Sequence, residues 1–167
     1  MFPGLIVTAL LSMFPLLEFR FGIPIGVSMG APLWPAVFVS MCFATLATWL
    51  LFRYLPPFVD WARRNWPLLH RFLEKIFAKT RKEHSKRFEV FSEIALIFFV
   101  ATPLPGTGIF TASILVYLFD LPRKQSFQSI VVGIIIGGLI IGLGVNVFEL
   151  LWGVAEQGIE EMQNIVE

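Results

Sequence analysis

Three stretches of this chain carry no charged side chain: Phe21 to Phe52, Ile94 to Phe119 and Gln125 to Phe148. A helix rises about 1.5 Å per residue and a bilayer core is about 30 Å thick, so roughly 20 apolar residues cross it and each stretch is long enough. Eighteen Phe and five Trp alone would also suit a large soluble core, and these uncharged runs decide against it. Composition agrees: 56% hydrophobic against 15% charged residues, with a mean hydropathy of +0.76, is too apolar for a soluble domain of 167 residues. An integral membrane protein is expected, with Met1 to Leu17 kept as a membrane segment, since no basic n-region or A-x-A-like cleavage site marks a signal peptide.

The apolar runs differ in continuity. Leu33 to Phe52 is uninterrupted, with Trp34 and Trp49 near its ends as an aromatic belt requires, and Pro56-Pro57 is expected to stop it after Arg53. Residues 128–150 form a second continuous span. Its Gly133-xxx-Gly137 and Gly138-xxx-Gly142 spacings suit close helix packing, expected within the molecule rather than at a dimer face. The other two segments, 1–31 and 94–119, are broken. The first holds Pro3, Pro15, Glu18, Arg20, Pro24 and Gly26, and Pro24 and Gly26 are expected to break the helix. The second holds "TPLPGTG" from Thr102 to Gly108, a turn or unwound stretch. Non-helical backbone at membrane depth survives only inside protein or beside a water-filled cavity.

Charge sets the orientation. Of 13 Lys and Arg residues, ten lie between Arg53 and Arg87, where Leu69, Phe72, Leu73, Ile76 and Phe77 recur at helical spacing. Residues 57–88 therefore read as a basic amphipathic helix on the cytoplasmic surface, in contact with membrane lipids. Basic residues flank the third run on both sides, Lys86 and Arg87 before it and Arg123 and Lys124 after it, so a re-entrant hairpin keeps both clusters inside. After Asn146 come five Glu and no Lys or Arg, an acidic tail over 151–167 outside the membrane. The predicted fold is an all-α integral membrane domain, an inverted repeat of re-entrant hairpin plus transmembrane helix in the plasma (inner) membrane, with both termini outside. Paired broken segments in two opposed halves are a transporter signature.

Glu18-x-Arg20-x-x-Ile23-Pro24-x-Gly26 and Pro103-x-Pro105-Gly106-Thr107-Gly108 together resemble motifs of the small multi-drug export membrane protein family. That family is distantly similar to the DedA/VTT membrane proteins, whose fold is two facing re-entrant loops with adjoining spans and which are associated with moving polyprenyl phosphate or other lipids. The resemblance implies transport with a site between the hairpins. One departure is plain: no basic residue lies between Arg87 and Arg123, so only Arg20 meets an anion at depth.

An ionisable residue at membrane depth marks a functional site when it faces the bundle interior. Glu18 and Arg20 are two residues apart and diverge on a helix, so each is expected to have its own partner. Glu18 suits backbone N–H groups of the opposite hairpin or a transferable proton; Arg20 suits a substrate anion or freed carbonyls. The competing role for both is to satisfy broken helix ends. Pro24, Gly26, Thr102, Pro103, Pro105, Gly106 and Gly108 complete the candidate site, with Glu93 capping a helix start and Asn146 in an interhelical hydrogen bond as secondary positions. His70 and His84 have no carboxylate or Cys at ligand spacing, and no catalytic constellation is present, so neither metal, cofactor nor enzyme chemistry is expected. A net charge of +1 gives nucleic-acid binding no support.

The function read from sequence is a small polytopic transporter, proton-coupled, of a lipid-like, amphipathic or anionic substrate; a non-transporting membrane assembly or structural factor is the alternative. Two spans and two hairpins give little wall for a cavity, which favours a homodimer. In a Cys42→Ser background, single cysteines replacing Lys86 and Asp120 should both react with impermeant thiol reagents from the cytoplasmic side only; labelling from opposite faces would show that the third run crosses.

Overall fold

The computed structural model describes residues 2–14, 17–65, 86–102 and 108–166, and all of its regular structure is helical. The helices are α1 (Phe2–Met13), α2 (Glu18–Ser28), α3 (Leu33–Asn65), α4 (Lys86–Ala101), α5 (Ile109–Leu118) and α6 (Arg123–Val166). Two are long and apolar enough to cross a bilayer, over Leu33–Val59 and Arg123–Gly153, and only 33% of each apolar window is buried. A soluble core helix would be mostly covered. Here Phe2, Ile6 and Leu10 of α1, Phe38 and Trp49 of α3 and Phe98 of α4 face outward, an apolar exterior far larger than a soluble monomer tolerates.

The first segment breaks between Met13 and Glu18, not at Pro24. Glu18 N donates to Phe14 O at 3.0 Å across this corner, and α2 then runs through Pro24 to Ser28. Pro24 costs α2 a backbone donor, but the packing of α1 on α2 outweighs it. The two helices run antiparallel and close together, because small residues line both facing surfaces: Gly4, Thr8 and Ser12 on α1 meet Gly22 and Gly26 on α2. A methyl at Gly22 would lie 2.7 Å from Ser12 Oγ and 3.0 Å from Thr8 O, while one at Gly26 would collide with Thr8 Oγ1. Thr8 Oγ1 donates back to Gly4 O at 2.9 Å, and Ser12 Oγ to Thr8 O at 2.6 Å, so the hydroxyls cost nothing in an apolar setting. Ser12 and Ser40 hydroxyls join α1 to α3.

The chain turns from α2 to α3 in a Schellman arrangement, with Gly30 at φ 82°, Ala31 N donating to Gly26 O at 3.0 Å and Gly30 N to Val27 O at 2.9 Å. The turn from α5 to α6 repeats it at positions shifted by 90: Asp120 has φ 48°, Leu121 N donates to Val116 O at 3.0 Å and Asp120 N to Tyr117 O at 3.4 Å. Pro32 and Pro122 open the following helices in both places.

Three boundaries differ from expectation. Helix α3 passes Pro56 and Pro57 and ends at Asn65, since proline's fixed φ is itself helical and the carbonyls it orphans lie past the apolar window's centre. Helix α6 continues through the acidic tail to Val166. Helix α4 starts at Lys86, so Glu93 stands in mid-helix, half-buried, and cannot cap a helix start. The core of the predicted basic helix, 66–85, lies outside the described residues.

Helices α1 and α2 both pack on α3, and α4 packs along α6; the halves then exchange contacts, α2 against α6 and α5 against α3. One core results, centred on Phe19 and Ile23 of α2, Val100 of α4, Ile109 of α5 and Ile130 and Ile134 of α6. The α6 glycines serve packing within the molecule: Gly133 abuts Val100, Gly137 abuts Phe19, Gly138 abuts Met41 and Gly142 abuts Val37.

Gly26→Ala should lower stability by about 1–3 kcal/mol through overpacking of the α1–α2 contact. Asp120→Gly, which relieves a left-handed residue at an exposed turn, should raise it by up to about 1 kcal/mol. Reversible unfolding in mixed micelles, followed by circular dichroism, measures both.

Candidate functional site

Arg20 and Glu18 attach to the two sides of the second break. Arg20 Nη2 donates to Val100 O at 2.9 Å, in the last turn of α4, where carbonyls lack intrahelical donors and the helix dipole is negative. The Glu18 carboxylate accepts from the backbone N–H groups of Ile109 and Phe110, the opening turn of α5, where orphan donors and the positive end of the dipole converge. Two residues of α2 thus satisfy both ends of the interrupted helix in the other half. Their divergence on the helix is what lets each reach its own end, and their mutual attraction adds to the arrangement.

Glu18 is 4% exposed. Its backbone has φ 49°, in the left-handed region that a non-glycine residue occupies at a cost of about 1–2 kcal/mol. Such a conformation persists only where the surroundings over-determine it. They do so through Gly108: a methyl there would coincide with both carboxylate oxygens, so the Glu18 carboxylate lies directly on the Gly108 backbone. Gly108 itself is extended, at φ −96° and ψ −175°, and needs to be glycine for space, not for backbone freedom. Oε2 of Glu18 is buried without a hydrogen-bond partner.

The arrangement gathers Glu18, Arg20 and Gly108 from the sequence-derived set. Pro24 is half-buried inside α2, and Gly26 lies against Gly4 and Thr8, so both shape the first hairpin instead of lining the site. Thr102 Oγ1 donates to Phe98 O at 2.6 Å, serving local backbone. Pro103, Pro105 and Gly106 lie outside the described residues. Asn146 is exposed on α6. Phe19 and Gly137 join the site unannounced: the Phe19 ring, buried between the Arg20 guanidinium at 5.7 Å and Gly137, holds α2 against α6. The uncharged character of Phe19 hid it in sequence. The Gly4-xxx-Thr8-xxx-Ser12 and Gly22-xxx-Gly26 spacings would have revealed the α1–α2 contact that sets the site's depth.

A family model described as "Putative small multi-drug export protein" matches residues 18–140, most of the chain and all of the residues that form this arrangement. No curated protein and no solved structure matches it.

Gly108→Ala should cost about 1–3 kcal/mol in the parent, and markedly less in a Glu18→Ala background where the displaced carboxylate is gone. A double-mutant cycle on unfolding free energies checks this; equal costs in the two backgrounds would show that the two residues do not press on one another.

Proposed function

The chain belongs to the small multi-drug export family, and on that premise we propose that it is a multi-pass membrane transporter working at the contact between Glu18 and the start of α5. An export description is not an enzyme class. The observation that carries the proposal is the Glu18 carboxylate, buried, seated against a broken helix start and left with one oxygen unpartnered. A proton arriving on Glu18 removes the charge that holds the opening N–H groups of α5, loosening the α2–α5 contact; its departure restores it. This couples a proton to the separation of the two halves, the movement alternating access requires. The halves are inverted repeats of re-entrant hairpin plus span in this reading, supported by the recurring turn at 30 and 120 and by the reciprocal packing of α2 on α6 and α5 on α3.

The substrate class is lipid-like or amphipathic, because the exterior is apolar, and Arg20 is the cation at the broken helix that suits an anionic headgroup. The basic 53–88 region is cytoplasmic and both termini lie outside. A second reading has its own support: Glu18 and Arg20 satisfy exposed helix ends so directly that a non-transporting membrane assembly factor would use them in the same way.

Proteoliposomes carrying the parent should move labelled amphipathic lipids across the bilayer, faster with an imposed pH gradient. Glu18→Gln should retain the fold and lose at least tenfold of the gradient-dependent rate; Arg20→Ala should weaken preference for anionic lipids. A parent that moves none of these, with Glu18→Gln folded and unchanged in every assay, would favour the assembly factor.

A further inference from the structure

The two hairpins are not equally held. Under the shift of 90 that relates the two turns, Gly4, Thr8 and Ser12 of α1 correspond to Ile94, Phe98 and Thr102 of α4, and Gly22 and Gly26 of α2 to Ala112 and Val116 of α5. The first set packs face to face. In the second, Ile94 and Phe98 are turned outward, 50% and 68% exposed, and α4 touches α5 only lightly. Ile and Phe at these positions hold apart backbones that Gly and Thr let meet. Helix α4 lies instead along α6, where Gly133 abuts Val100 and the Ile97 carbonyl.

The halves are joined along the length of α3 and α6. Val37 meets Gly142, Met41 meets Gly138, and Phe52 meets Phe127 edge-on at 5.7 Å. The first and last of these pairs exchange under the same shift, so the contact extends evenly to both sides of the centre. With Ser40 bound to Ser12 and α1 zipped to α2, five helices form one frame. Helix α5 is held differently. It has ten residues, packs chiefly on α3, and is fixed at its far end by the turn of Phe119, Asp120 and Leu121. At its start, among the described residues, the Glu18 carboxylate holds the N–H groups of Ile109 and Phe110.

We propose that α5 is a single pivoting helix, with the turn at 119–121 as its hinge and the Glu18 carboxylate as its latch, while α1, α2, α3, α4 and α6 stay fixed. This rests on the transport reading and deepens it: the halves part at α5 alone. Elements that move are drawn from those with the fewest buried contacts, whereas the tight glycine contacts of α3 with α6 resist sliding. The latch responds to one proton. Arg20 is the charged group beside it; α1, α5, residues 33–52 of α3 and residues 125–148 of α6 carry none. On α4 the charged residue closest to Val100 is Glu93, about two helical turns before it.

Spin labels on cysteines replacing exposed residues, in a Cys42→Ser background in nanodiscs, test this. Ile114 with Leu46 and Ile114 with Phe98 report α5; Leu10 with Leu46, Phe98 with Val132 and Phe38 with Leu139 report the frame. From alkaline to acidic pH, both α5 distances should shift by several ångströms and the frame distances should not change. Glu18→Gln should show the acid pattern at both. Fixed α5 distances in the parent, frame distances that move with them, or a pH response that survives Glu18→Gln would overturn the proposal; should that variant fail to fold, the parent's own distances decide. Lipid movement in vesicles of the same protein separates this from the transport reading. A moving α5 with no lipid moved sinks transport and keeps the pivot, whereas lipid moved at fixed distances sinks the pivot and keeps transport.

Discussion

A helix interrupted inside an apolar bundle leaves carbonyls on one side of the break and N–H groups on the other, and every other feature of this molecule follows from how those groups are met. The chain meets the described ones with a guanidinium on Val100 O and a carboxylate on the opening turn of α5, both carried by α2. The charges are opposite because the helix ends are. Placing them there requires α2 to penetrate the bundle, and that depth depends on its small-residue contact with α1 and on Phe19 filling the space beside Gly137.

The same arrangement explains why a transporter reading and a scaffold reading begin from one geometry. A capped helix end is static while the cap keeps its charge. A carboxylate cap differs from a neutral one in that its hold on the N–H groups depends on protonation. The proposed release of α5 uses that difference, which a Ser or Asn cap would not offer.

Much of this was visible in the sequence. Charges at 18 and 20 inside apolar surroundings point to interior contacts, and their two-residue separation points to separate partners. The break near Gly108 followed from its prolines and glycines. Less legible are prolines whose effect depends on neighbours: Pro24 is overridden by helix packing, and Pro56 and Pro57 remain within α3. Glu93 was misplaced because the start of α4 was set seven or eight residues too late. The role of Gly108 as space for a carboxylate was not legible at all, since nothing in the chain's order says which distant residue arrives there.

The shift of 90 that relates the two turns also relates residue 18 to residue 108. These counterparts are the two that touch, each at the head of its half's inner helix. At such a meeting point one member must supply the side chain and the other must make room for it; two carboxylates would collide and repel, and two glycines would leave the N–H groups unmet. The centre of the molecule is thus the place where its two halves cannot be alike. The position 90 residues beyond Arg20 is Phe110, so both charges at this centre are carried by α2 and neither has a charged counterpart at that spacing.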